Sequence, residues 1–119
     1  MQIHVHTDDQ IPGSDALARW VQDEAFTRLA RFREQLTRLE VFLSDQDGGK
    51  SGNHDKRCRL EARLSGRPAV SVTAEADKMA AAFIEAVDKL MRLLDTELGR
   101  VRDRHGRDTI RTAQVPQQE

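Results

Sequence analysis

The sequence predicts an α+β fold of order β-α-β-β-β-α, a four-stranded sheet with two helices packed on one face. Three observations carry that reading. Four short segments alternate apolar and polar residues with the period of a half-buried strand. Two longer segments repeat apolar residues at near-four-residue intervals, as one face of a helix does. Every strand has one apolar face and each helix one apolar stripe, so both helices belong side by side on the same sheet face, with the other face left to solvent.

The elements follow in order. In QIHVHT, Ile3 and Val5 alternate with His4 and His6, which makes the first strand. The turn cluster DDQIPGSD comes next, and Ser14 is the N-cap of a helix with Asp15 in its first turn, where negative charge suits the dipole. Leu17, Val21, Ala25, Leu29 and Phe32 then place one apolar face on a first helix of about 20 residues. RLEVFLSD reads as a second strand, with Val41 and Leu43 on one face and Glu40, Phe42 and Ser44 on the other. The loop DQDGGKSGNHD separates it from KRCRLEARL, whose Cys58, Leu60, Ala62 and Leu64 alternate with Arg57, Arg59, Glu61 and Arg63. SGRP is turn chemistry, and AVSVTAE is a fourth strand turning Val70, Val72 and Ala74 inward. The last helix is expected from about Asp77 to His105, on the stripe Phe83, Val87, Leu90, Leu94, Leu98 and Val101. A single domain over residues 1–106 and a mobile tail over 107–119 are the expected organisation. The result resembles the double-stranded-RNA-binding type of fold with an extra leading strand.

Composition excludes several classes. The chain has 119 residues and 38% apolar content, enough for one modest core. Nineteen Lys and Arg against 20 Asp and Glu leave a net charge of −1, so the large net charge that marks disorder is missing. The N-terminus has no basic segment followed by an apolar run, and no apolar stretch approaches the ~20 residues of a membrane span. A cytoplasmic location and no membrane partner are expected. The lone Cys58 excludes an internal disulfide and reads as a small core residue.

Chemical motifs fail one by one. GGKS at 48–51 lacks the glycine a phosphate loop needs five residues before Gly49, because position 44 is Ser. DQDGG lacks the closing Glu of a calcium loop, since that position is Lys56. His4 and His6 share a strand face, but only His54 and His105 could join them, so exposed strand histidines are expected rather than a metal site. No acid–base pair stands out and the chain has no Tyr, so no enzyme, cofactor or small-molecule substrate is expected.

Charge along the helices is the remaining signal. Lys89, Arg92, Arg100, Arg104 and Arg107 lie to one side of the last helix, off its apolar stripe. Arg28 and Arg31 sit near the end of the first. Two such ridges on adjacent helices would form a groove of positive potential, suited to phosphate contacts that position without reading sequence. Asp88, Asp95, Glu97 and Asp103 share the last helix, however, and mixed charge is also what a solvated face looks like. Asp88 and Asp95 are expected on the helix side away from the ridge.

RLARFREQLTRLEVFLSD, DKRCRLEARLSG and ADKMAAAFIEAVDKLMRLL, in this element order, resemble the ribosome hibernation-promoting factor and ribosome-associated translation inhibitor family over residues 1–105. The matching motifs are Arg28-Leu29 late in the first helix, and Asp88-Lys89-Leu90 with Arg92 in the second. The resemblance implies a protein that binds the small ribosomal subunit and its rRNA between head and body, across the mRNA and tRNA paths. It implies silencing of translation under stress, without catalysis, by a short-form monomer. The implied RNA-binding residues are Arg28, Arg31, Lys89, Arg92, Arg100 and Arg104. Departures from the family pattern fall at Lys78 and Ala80, where an acidic residue and an aromatic flank the Met, at Ile84 in place of an acid, and at the often basic positions of Thr96 and Leu98. The competing reading is a protein-interaction module of the same fold that no longer binds ribosomes.

Overall fold

Alternating and helical periodicities resolve into β1 (Gln2–Thr7), α1 (Ser14–Arg28), a 3-10 turn (Ala30–Phe32), β2 (Leu36–Asp45), β3 (Lys56–Leu64), β4 (Val70–Ala76) and α2 (Met79–Ala113). The computed structural model describes residues 1–8, 14–45 and 55–113, the side chains of 100–113 excepted. The GGKS and DQDGG loop residues 46–54 lie outside the described residues, as do 114–119. The four strands form one sheet in the order β1-β2-β3-β4. β1 runs parallel to β2, which requires a crossover, and α1 supplies it. β2, β3 and β4 are the expected antiparallel meander.

The buried faces are those the alternation indicates: Val41 and Leu43 on β2, Cys58, Leu60, Ala62 and Leu64 on β3, and Ala74 on β4. Helix α1 lies over β1, and α2 over β3 and β4. Phe83, Val87, Leu90 and Leu94 of α2 are fully buried, and so are Ala82 and Ala86, small residues that let the helix approach the sheet. Ile84 and Leu98, two of the departures from the family pattern, pack half-buried against this core.

Three boundaries differ from the sequence reading. The first helix stops at Arg28 rather than running about 20 residues, and its continuation tightens into the 3-10 turn. Residues three apart eclipse one another in 3-10 geometry but diverge by about 60° in an α-helix. The tightening therefore brings Phe32 under Leu29, and both are buried. β2 begins at Leu36, two residues early, where a bulge at Leu36/Arg38 interrupts its register with β3. Strand alternation would put Leu36 and Leu39 on opposite faces; the bulge lets both reach the core. Helix α2 continues to Ala113, past the end expected near His105, so part of the stretch expected as a tail is helical.

The β3–β4 turn holds Gly66 at φ +69°, in the left-handed region, with open space where a Cβ would stand. Strain at that angle is then the whole penalty. Gly66→Ala should destabilise by about 1 kcal/mol in urea titration, with the fold unchanged.

Candidate nucleic-acid interface

The two helices meet where Trp20 of α1 turns its ring edge-on to Phe83 of α2, at 5.6 Å between centroids. Near this contact the 3-10 turn brings Arg31 toward α2. Arg28 closes the last turn of α1, and its Nε donates to Glu24 Oε1 at 3.0 Å, one turn earlier. Arg31 lies over the Phe32 ring at 4.1 Å. From there its guanidinium reaches across to α2 and donates two bonds to Asp95, at 2.8 and 3.1 Å. The pair stays more than half exposed, at 59% and 54% of its side-chain surface. That hydrogen bond to Asp95 raises the Arg31 pKa above its already high ordinary value.

Helix α2 splits its cations. Lys89 turns to the opposite side and donates its Nζ to the Thr73 carbonyl of β4 at 2.8 Å. Arg92 is exposed, and its side chain has no partner among the described residues. Arg100 and Arg104 continue the helix in sequence, but their side chains lie outside the described residues. The six sequence-derived residues thus do not all gather in one groove. Arg31 reaches across the helix junction, Arg28 stays with Glu24 on α1, Lys89 lies toward the β4 edge, and Arg92 faces solvent. Asp95 lies on the side of α2 away from Lys89, where Arg31 holds it. Arg67, in the β3–β4 turn, adds a tether the sequence reading missed: its guanidinium donates to Glu97 Oε1 at 3.1 Å and to the Glu97 carbonyl at 3.3 Å.

The open sheet face carries a second arrangement. The register sets His6, Phe42, Arg59 and Thr73 in one row across the four strands. His6 stacks on Phe42 at 4.8 Å and 14°, and Arg59 covers the ring at 4.3 Å. His6 also donates to Glu40 at 2.6 Å, with Arg38 on the other Glu40 oxygen. The His6 bond, then Arg38, hold the Glu40 carboxyl below the usual range. Arg59 pairs with Glu61, and Arg57 with Glu75 at 2.6 Å, so this face is close to charge-balanced. Alternation placed these residues outward, but only strand register lines them up.

Nothing described is built for catalysis. Burial pushes the Cys58 thiol up to about 12, where it stays protonated at neutral pH. Cys58 should therefore resist thiol reagents in the native protein and react on unfolding, which a timed labelling assay in urea checks. Among the described residues no three His, Cys, Asp or Glu side chains converge on a metal position. Below the β2–β3 loop, Lys56 bridges the buried Asp55 and Asp45 at 3.1 and 3.4 Å, an internal neutralisation that keeps the lysine charged.

The described residues thus present a helix layer with exposed arginines over one face of an open sheet. The sequence matches the family described as sigma 54 modulation protein / S30EA ribosomal protein over residues 3–102.

The chain belongs to that family.

It is a family of ribosome-associated factors without enzymatic activity. The S30EA match covers α1 and α2 as far as residue 102, and includes Arg28, Arg31, Lys89, Arg92 and Arg100. The crystal structure of the Thermus thermophilus Protein Y N-terminal domain is similar at 25% identity and a TM-score of 0.62, over 81% of this chain and 98% of that one. A ribosomal subunit interface protein from Coxiella burnetii shares the fold at 20% identity and a TM-score of 0.55, over 87% of this chain and 99% of that one. No curated protein matches the sequence.

Proposed function

We propose that this chain binds the small ribosomal subunit through its rRNA, in the cytoplasm, and silences translation under stress by occupying that surface. Membership of the S30EA family supports the ribosome as partner. The observation that carries the RNA contact is the Arg31 fork, aimed across the helix junction and held in place by an exposed Asp95. An ion pair this exposed is screened by solvent and contributes little. A phosphate offers the same bidentate acceptor geometry with greater charge, so it displaces Asp95 at small cost. Arg28 exchanges Glu24 in the same way, while Arg92 needs no exchange. The acidic partners keep the net charge near zero.

Co-sedimentation with purified small subunits over a series of salt concentrations tests this reading. Log affinity should fall linearly with log salt, by nearly one unit of slope for each phosphate neutralised. Asp95→Asn removes the competing carboxylate and should tighten binding several-fold at fixed salt. An affinity indifferent to salt, or weakened by Asp95→Asn, would instead favour a protein-interaction module.

A further inference from the structure

We propose that the free edge of β1 is a self-association surface, where a second copy of this chain pairs its own β1 antiparallel and joins the two sheets into one. Most of its pairing groups have no partner among the described residues. Asp8 donates its N–H to the Leu43 carbonyl at 3.1 Å, which fixes the even-numbered residues as those bonded to β2. Ile3, Val5 and Thr7 therefore turn their N–H and C=O groups outward. Only the Ile3 carbonyl has a partner there among the described residues, the Gln22 amide at 3.3 Å, and a carbonyl oxygen can accept a second bond.

The other edge of the sheet is guarded. At β4, the Lys89 ammonium caps the Thr73 carbonyl and puts a positive charge where another strand would dock. Lysine over an edge is one of the devices that block strand addition, as are proline and bulges. β1 has none of the three, and its register with β2 is unbroken. Beside it lies an open groove of about 410 Å³ whose lining includes Met1, Ile3, Gln22 and Phe26. Phe26 is 53% exposed, the one large apolar side chain so exposed among the described residues.

The strand itself selects a second copy. Ile3-His4-Val5-His6-Thr7 is nearly palindromic about Val5. With a two-fold axis at Val5, Ile3 meets Thr7 of the second copy and His4 meets His6, so β-branched residues pair on the inner face and imidazoles on the open one. No Asp, Glu, Lys or Arg lies between Gln2 and Thr7, so no permanently charged side chain repels across the axis. The Thr7 end of the incoming strand passes the Ile3 end of the first, where the groove beside Phe26 receives it. An isologous contact of this kind closes on itself and produces dimers rather than fibres. One short strand and one groove bury less than the ~800 Å² per partner of a standard interface, so the dimer is weak and concentration-dependent.

Analytical ultracentrifugation of the full chain from roughly 5 to 500 μM should show a monomer–dimer equilibrium with a dissociation constant on the order of 100 μM. Phe26→Asp, at an exposed position, should shift it to monomer with an unchanged circular dichroism spectrum. A copy carrying His4→Cys, mixed with a copy carrying His6→Cys under mild oxidation, should form the inter-copy disulfide, because those positions face each other across the axis. Either variant alone should cross-link far less. Monomer throughout the range, a dimer indifferent to Phe26→Asp, or cross-linking no greater in the mixture would each overturn the proposal. Because no readout involves ribosomes, the result stands apart from the proposed function.

Discussion

If the proposed function holds, reversing Arg92 and Arg100 together to Glu should abolish co-sedimentation with the small subunit while leaving the protein folded. Arg92 is exposed, away from the buried Leu90 and Leu94, so the core does not register the change. Each charge-assisted bond lost is worth ~1.5–3 kcal/mol, and each new carboxylate adds repulsion from the same phosphates. Together these weaken binding by ~100-fold or more. The slope of log affinity against log salt should flatten by up to ~2 units. The matched control is Arg57 and Arg63, on the open sheet face, reversed to Glu with the same change in net charge. Asp88 and Asp95 cannot serve, because Asp95 holds Arg31. Equal loss from both arginine pairs would mean that net charge, and not position on α2, governs binding.

Phe83→Ala is the substitution with the largest expected cost to stability, ~3–5 kcal/mol. Phe83 is fully buried on α2 and takes the edge of Trp20, so the change empties the junction of both helices with the sheet. A loss of that size is a large share of the 5–15 kcal/mol that holds an ordinary domain together. Chemical denaturation followed by fluorescence measures it directly, since Trp20 is the chain's single tryptophan and reports the contact itself. A cost below about 1 kcal/mol would show that the helices are held mainly elsewhere.

Much of the fold was legible because its rules are local. Period-2 alternation separated Val41 and Leu43 from Glu40 and Phe42, and the stripe from Phe83 to Leu94 marked the buried side of α2. The break after Arg28 was not legible, because α and 3-10 turns present the same apolar spacing until burial of Phe32 decides between them. The bulge at Leu36 escaped for a similar reason, since a single extra residue hides within an otherwise regular strand. The candidate site was less legible still. Arg28, Arg31, Lys89 and Arg92 were identifiable as cations off the apolar stripes, but their partners were not. Helical angles alone set Asp95 apart from the ridge, whereas the 3-10 turn carries Arg31 directly to it.

By itself the sequence determined the element order, the inner face of each strand and helix, and the absence of catalytic motifs, because each follows from neighbours a few residues apart. Tertiary structure alone decided which charges meet. Arg31 and Asp95, Lys89 and the Thr73 carbonyl, and the row of His6, Phe42 and Arg59 join residues that are distant along the chain. Only crossover, strand register and helix placement bring them within hydrogen-bonding or stacking distance. The contrast between the two sheet edges has the same origin: α2 lies where Lys89 can cover β4, while among the described residues only Gln22 reaches an outward backbone group of β1.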